Sequence, residues 1–144
     1  AGTLYSSRIE ESEPEKWIRD INSSLVGSYL VSRMAIKSNP AVTIINVAST
    51  AAYNSYPDWS SYCCAKVGVL RLTECLKKDG VKVFCLCPGA IDTKLRSGLT
   101  ISNSNVMCLE EAISPFLSVL NGEHDNGDVI FYRKNELIVN PDFN

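Results

Sequence analysis

The sequence lacks the features that mark membrane proteins and proteins that bind polyanions. No apolar run among its 144 residues approaches the roughly 18 residues that a membrane-spanning helix needs, and the opening Ala1-Gly2-Thr3 does not resemble a signal peptide. The chain also has no large excess of positive or negative charge, since its net charge is −2 and its sequence pI is about 5.4. This balance gives no electrostatic reason to expect a nucleic acid or an anionic membrane as a partner. We therefore expect a cytoplasmic protein.

The sequence also lacks the residues of a metal site. It contains one histidine, His124, and none of its six cysteines forms a Cys-x-x-Cys pair. A zinc site requires clustered cysteine and histidine ligands at metal spacing, so we predict that the protein binds no metal. Cys85 and Cys87 fall on one side of a predicted buried strand, and we expect the cysteines to be reduced packing residues, consistent with the cytosol.

The sequence does contain enough apolar residues for one globular domain spanning residues 1–144. Hydrophobic residues make up 45% of the chain and charged residues 21%, a balance typical of a soluble domain with a buried core. Helical and strand patterns alternate, which predicts an α/β fold with a parallel sheet between helices. The predicted elements are a helix from about Ser12 to Ser38, a strand from Ala41 to Ser49, a helix from Ser60 to Lys78, a strand from Val81 to Cys87, a helix from Leu109 to Leu120 and a strand from Asp128 to Tyr132.

The most informative stretch runs from Ile44 to Lys66, because it combines a serine, a tyrosine and a lysine. Ser49 follows the carboxyl end of a short strand rich in valine and isoleucine. Tyr62 and Lys66 are four residues apart on the next helix, so they lie on one helix face within reach of each other. Ligands of open parallel α/β sheets bind at the carboxyl edge of the strands, so we expect all three side chains at one crevice.

These three residue types are suited to proton transfer to or from an alcohol oxygen. A free tyrosine titrates near about pH 10, so acid/base work at neutral pH requires lowering its pKa by roughly 2 to 3 units. An ammonium about 4 Å away contributes about 4 kcal/mol at an effective dielectric near 20, so Lys66 suffices in a partly dry cleft. Ser49 could hydrogen-bond the same substrate oxygen. The alternative is that Lys66 is a solvated helix charge and Tyr62 a half-buried packing residue.

The residues belong to an ordered set that resembles the carboxyl-terminal part of the short-chain dehydrogenase/reductase family. In that family a serine at a strand end precedes a Tyr-x-x-x-Lys motif, as Ser49 precedes Tyr62 and Lys66 here. An asparagine on the preceding helix completes the family's catalytic set, and Asn22 in RDINSSLVGSYL matches it. The family's Pro-Gly-x-Ile-x-Thr motif after the next strand is matched by Pro88, Gly89, Ile91 and Thr93.

The resemblance implies a partial doubly wound, Rossmann-like parallel sheet in three αβα layers. It also implies an NAD- or NADP-dependent oxidoreductase that transfers hydride between nicotinamide and an alcohol or carbonyl substrate. Tyr62 would be the general acid/base, and Lys66 would lower its pKa and bind the nicotinamide ribose. Ser49 would orient the substrate oxygen, and Asn22 would position a water relay to Lys66. The family's cofactor contacts fall on Tyr62, Lys66, Pro88, Gly89, Ile91 and Thr93.

The sequence departs from the family in lacking its glycine-rich phosphate-binding turn. Ala1-Gly2 resembles the end of the family's Asn-Ala-Gly loop, so we expect a fragment that lacks the first strands and is inactive alone. The alternative is a catalytically inactive truncated relative that serves as an interaction or oligomerisation module. The helices around Trp17 to Met34 and Tyr62 to Leu76 resemble those through which family members pair, so we expect a homo-oligomer.

Overall fold

A four-stranded sheet lies at the centre of the protein, for which a computed structural model describes residues 2–96 and 103–143. Its strands are β1 (Thr43–Val47), β2 (Lys82–Pro88), β3 (Val129–Arg133) and β4 (Glu136–Val139), in that order across the sheet. The first three strands are parallel, whereas β4 is antiparallel to β3. The three predicted strands and their parallel arrangement are confirmed, and β4 is an additional strand.

The long helices lie where the sequence predicts them. The first helical segment comprises α1 (Pro14–Ile21), a π-helical turn (Asn22–Val26) and α2 (Gly27–Ser38), and its backbone stays helical through both joins. It is followed along the chain by α3 (Ser60–Lys78) and α4 (Leu109–Leu120). Within the two described ranges, no helix is long and apolar enough to cross a membrane. The polar stretch from Ala90 to Asn105, which connects β2 to α4, lies partly outside the described residues, at 97–102.

The side chains of β2 point alternately to two faces, and each face is covered by a helix. Cys85 and Cys87 pack in one buried cluster with Val69 of α3. Leu86 packs in a second cluster with Val119 of α4. The two clusters establish the three-layer αβα arrangement. The Sγ atoms of the two cysteines are 4.0 Å apart, and both residues are fully buried, as expected of packing residues. Cys64, Cys75 and Cys108 are exposed, so the expectation that all the cysteines are packing residues is wrong for these three.

A buried carboxylate holds the amino-terminal segment against the start of α3. Asp20 on α1 is fully buried and accepts hydrogen bonds from the Thr3 hydroxyl (2.5 Å), the Tyr5 backbone N–H (2.7 Å) and the Ser61 hydroxyl (2.7 Å). A buried charge requires such partners, because its removal from water is otherwise costly. The network fixes the first residues beside the helical turn that carries Tyr62.

Candidate active site

A cavity of about 680 Å³ opens at the carboxyl ends of β1 and β2. Its walls are the end of β1, the first turns of α3, the loop after β2 and the amino-terminal segment around Gly2 and Leu4. This is the sheet edge at which the parallel arrangement predicts a crevice. The sequence-predicted site residues that line it are Ser49, Tyr62, Lys66, Pro88, Gly89, Ile91 and Thr93.

Ser49 is held by the chain reversal that follows β1. Its backbone is extended, and its side-chain oxygen accepts the N–H of Ala51 at 3.2 Å, which caps a short 3₁₀ turn (Thr50–Ala52). The hydroxyl lies 3.4 Å from the carbonyl oxygen of Pro88, to which it donates. Backbone groups after β1 and at the end of β2 therefore hold the hydroxyl of Ser49, which lines the cavity.

Tyr62 and Lys66 lie one turn apart on α3, as their spacing predicts. Both side chains are buried, each 8% exposed. The Lys66 ammonium donates to the carbonyl oxygen of Val47 at 3.0 Å and lies 5.5 Å from the centroid of the Tyr62 ring. The ammonium is therefore close to both the end of β1 and the tyrosine ring.

The pKa shifts at this pair differ from the expectation that Lys66 lowers the pKa of Tyr62. Burial raises the pKa of Tyr62, and the hydroxyl of Ser49 opposes that shift without reversing it. Burial likewise lowers the pKa of Lys66. Desolvation penalises the charged form of each group, and the ammonium is directed at the Val47 carbonyl. The phenol is consequently held in its protonated form.

The loop after β2 forms the opposite wall of the cavity. The N–H of Gly89 donates to the carbonyl oxygen of Tyr132 at 2.7 Å, which extends the β2–β3 pairing past the end of the strand. Further along the chain, the N–H of Met107 donates to the carbonyl oxygen of Ala90 at 2.9 Å, and Met107 forms an isolated parallel β-bridge with Ile91. These bonds fix the backbone around Pro88, Gly89 and Ile91, whereas Thr93 is exposed.

Asn22 is not brought to the cavity, which corrects its assignment to the site. Asn22 is exposed at the first position of the π-helical turn. The backbone carbonyl of Asn22 accepts a hydrogen bond from the N–H of Gly27. Ser24, two residues later, is 3% exposed, and its hydroxyl has no hydrogen-bond partner in the described part of the chain. Two residues turn a helix roughly half way round, so Ser24 faces inward with Asp20 while Asn22 faces solvent.

The sequence analysis missed the aromatic and cationic residues that complete the cavity. The rings of Tyr56 and Trp59 have centroids 5.0 Å apart, and Trp59 meets Tyr62 edge to face at 6.1 Å. Arg133 lines the cavity from the end of β3. The signal that could have identified Arg133 is its place at the carboxyl end of a parallel strand beside β2.

The layered parallel sheet and the cavity at its carboxyl edge define an α/β protein of the doubly wound class. A family model described as short chain dehydrogenase matches residues 1–103. The chain belongs to this family. All of the sequence-predicted site residues fall inside the matched range.

Individual relatives are similar over part of their length. The benzil reductase ((S)-benzoin forming) of Bacillus cereus is 29% identical over 108 residues, which cover 67% of this chain and 43% of that protein. An oxidoreductase of Thermotoga maritima is 36% identical over 101 residues, which cover 65% of this chain and 39% of that protein. The chain thus spans less than half the length of the curated relatives it matches.

Solved structures share the fold at low identity. A gluconate 5-dehydrogenase from Burkholderia cenocepacia, in complex with NADP and tartrate, matches with a TM-score of 0.81 at 20% identity. That match covers 92% of this chain and 60% of the solved chain. The likeness supports the arrangement of strands and helices described above.

Proposed function

We propose that the protein is an NAD- or NADP-dependent oxidoreductase that transfers hydride between nicotinamide and an alcohol or carbonyl substrate. The observation that carries the proposal is the meeting of Ser49, Tyr62 and Lys66 in one cavity at the carboxyl edge of a parallel sheet, in a chain of this family. Curated relatives include reductases and dehydrogenases, and similar solved structures hold NADP or NADH. Because the chain spans less than half of those relatives, the activity is proposed for the protein that contains this cavity together with a phosphate-binding part.

The residues of the cavity fit the nicotinamide end of such a cofactor. Tyr62 and Lys66 would hold the ribose, and the wall after β2 would hold the nicotinamide. When bound, the nicotinamide donates or accepts the hydride. In residues 2–96 and 103–143 no glycine-rich turn opens a helix that could hold the pyrophosphate, so cofactor binding in full requires further residues. The residues proposed to hold the cofactor are Tyr62, Lys66, Pro88, Gly89, Ile91 and Thr93.

The protonated phenol suits reduction of a carbonyl group. Tyr62 donates its proton to the carbonyl oxygen of the substrate. The Ser49 hydroxyl turns from its long, 3.4 Å contact with the Pro88 carbonyl and donates a hydrogen bond to the same substrate oxygen. A raised pKa keeps the phenol fully protonated at neutral pH, so the acid form is ready. The nearby Lys66 ammonium then stabilises the phenolate that is left. In the oxidising direction the same phenolate accepts the proton of the alcohol.

A second candidate function, an interaction or oligomerisation module, is favoured by the surface of α2. Tyr29, Leu30, Val31 and Met34 expose about half of their area or more, and clustered apolar exposure marks interaction sites. Homo-oligomer formation is compatible with both candidates. Only the first requires chemistry at Tyr62.

Replacement of Tyr62 tests the proposed function. In the protein that reduces a carbonyl substrate, Tyr62→Phe removes the transferred proton with little change of volume, so kcat should fall by about 100-fold or more while NADPH or NADH binding is retained. The measurement is oxidation of the reduced cofactor by absorbance. Tyr29→Phe makes the same change on the exposed face of α2 and should leave kcat unchanged. Activity of Tyr62→Phe within about tenfold of wild type would remove Tyr62 from the acid/base role.

A further inference from the structure

Arg133 is held at the wall of the cavity by its packing. It is the last residue of β3, and its guanidinium carbon lies 4.9 Å from the centroid of the Phe131 ring. The Cγ of Arg133 also packs against Gly89, because a Cβ built on Gly89 would lie only 3.0 Å from that Cγ. A guanidinium over an aromatic ring keeps its N–H groups available in its own plane. The side chain is therefore positioned before any ligand binds.

The positive charge of Arg133 is paired with only one carboxylate among the described residues, and that ion pair is exposed and weak. Its Nε lies 3.7 Å from a carboxylate oxygen of Glu136, and the two side chains are 41% and 43% exposed. An exposed ion pair of this kind contributes about 0–1 kcal/mol. The guanidinium has five N–H donors, and this contact involves Nε alone. The outer pair of nitrogens can therefore serve a ligand.

The described residues that line the cavity carry positive charge and no negative charge. Lys66 and Arg133 are the charged members of this lining, and none of the others is acidic. Lys66 already donates to the Val47 carbonyl. A cleft lined by one sign of charge concentrates ligands of the opposite sign.

We propose that Arg133 binds the carboxylate of the substrate, so that the substrate class is hydroxy acids and the corresponding oxo acids. The inference rests on the proposed function, because it places the acid in the cavity that contains Tyr62 and Ser49. A carboxylate presents two oxygens in one plane and matches the guanidinium with two parallel hydrogen bonds. Binding in this way leaves the hydroxyl or oxo group of the acid free to approach Tyr62.

A phosphate group of the cofactor is the alternative ligand for Arg133, because arginine binds phosphates as well as carboxylates. In the proposed binding mode the nicotinamide lies at the wall after β2, and Arg133 packs against Gly89 of that wall. The phosphates of a dinucleotide are separated from the nicotinamide by a ribose. The position of Arg133 beside the nicotinamide wall therefore favours the carboxylate of a substrate.

Ligand-observed saturation-transfer NMR on this chain tests the assignment. The probes are lactate, its neutral amide lactamide, and inorganic phosphate as a stand-in for the cofactor. Lactate should bind at least about tenfold more tightly than lactamide, and Arg133→Gln should reduce lactate binding to the level of lactamide. Arg71→Gln removes the same charge from an exposed position on α3, where the side chain pairs with Glu74, and should leave lactate binding unchanged. Tyr62→Phe should also retain lactate binding, which separates this test from the test of turnover.

Three outcomes of the lactate measurements would each overturn the assignment. They are equal binding of lactate and lactamide, lactate binding that survives Arg133→Gln, and the lack of saturable lactate binding by the wild-type chain. Binding of phosphate alone, if it depends on Arg133, would overturn it in favour of the cofactor as the source of the anion. Dependence of lactate binding on Arg133 together with full activity of Tyr62→Phe would uphold the carboxylate site while refuting the proposed acid/base role.

Discussion

At the scale of the single residue, burial controls how Tyr62 titrates. Its side chain is 8% exposed, and burial raises its pKa above the ordinary value of 10. We therefore expect Tyr62 to remain protonated at about pH 10 in the chain without ligand. The difference between the phenolate absorbance of wild type and that of Tyr62→Phe, recorded against pH, isolates Tyr62 from the other tyrosines.

The raised pKa of Tyr62 makes the stability of the protein depend on pH. The pKa of Tyr62 is higher in the folded than in the unfolded protein. The contribution of Tyr62 to the free energy of unfolding is therefore fully present below about pH 10 and is lost as pH rises through the folded pKa. Wild type should accordingly lose more of its free energy of unfolding above about pH 10 than Tyr62→Phe does. Ionisation of Tyr62 near neutral pH in the difference spectrum would instead mean that Lys66 outweighs burial.

The site residues differ in how far the sequence could predict them. Tyr62 and Lys66 could be placed together because a spacing of four fixes two side chains on one helix face. Ser49 could be placed because a strand end fixes the position of the next residue. Asn22 could not be separated from Ser24, since both are polar and only the phase of the helix decides which one turns inward.

At the scale of the element, Gly68 sets how closely α3 approaches the first helical segment. A Cβ at Gly68 would lie 2.7 Å from Cδ2 and 3.4 Å from Cγ of Leu25. Gly68→Ala gains up to about 1 kcal/mol of helix propensity, but the required shift of Leu25 costs about 1–3 kcal/mol. We therefore expect a net loss in the free energy of unfolding, measured by urea denaturation.

Two further variants control this prediction. Gly27→Ala places a Cβ at an ordinary contact distance of 3.5 Å from the Asn22 carbonyl, so it should be neutral or stabilising. In the Leu25→Ala background the obstructing atoms are gone, and Gly68→Ala should no longer destabilise. If Gly68→Ala stabilises the wild-type protein as much as Gly27→Ala does, the close approach of the helices imposes no constraint.

The elements that the sequence predicts are those with a buried face. β2 could be predicted from its apolar run because helices cover both of its faces. β4 has four exposed residues and follows a tight turn in which Asn135 has a φ of 62°. A strand without a buried face shows no alternation of apolar residues, so pattern analysis cannot detect it. The π-helical turn is equally hidden, because one extra residue hardly changes the apolar pattern of a helix.

At the scale of the whole molecule, the sheet ends in a strand suited to further pairing. Within the described residues, β1 pairs with β2 alone, and Val47 at its end is 50% exposed. The surrounding sequence, AVTIINVAS, contains neither charge nor proline and is rich in β-branched residues. Such an edge pairs with other chains when nothing covers it. The exposed face of α2, where Val31 is 71% exposed, provides a second apolar surface.

We therefore expect this chain to form dimers or larger assemblies at micromolar concentration in light scattering. Thr43→Lys should reduce the assembly, because a charge on an edge strand opposes pairing. Asn121→Lys adds the same charge at the exposed residue that follows α4, outside both surfaces, and should have a smaller effect. Hydrogen exchange should show protection of the unpaired β1 amides only where association covers them. A monodisperse monomer that nonetheless protects those amides would mean that another part of the same chain covers the edge, and the proposed pairing through β1 would then be wrong.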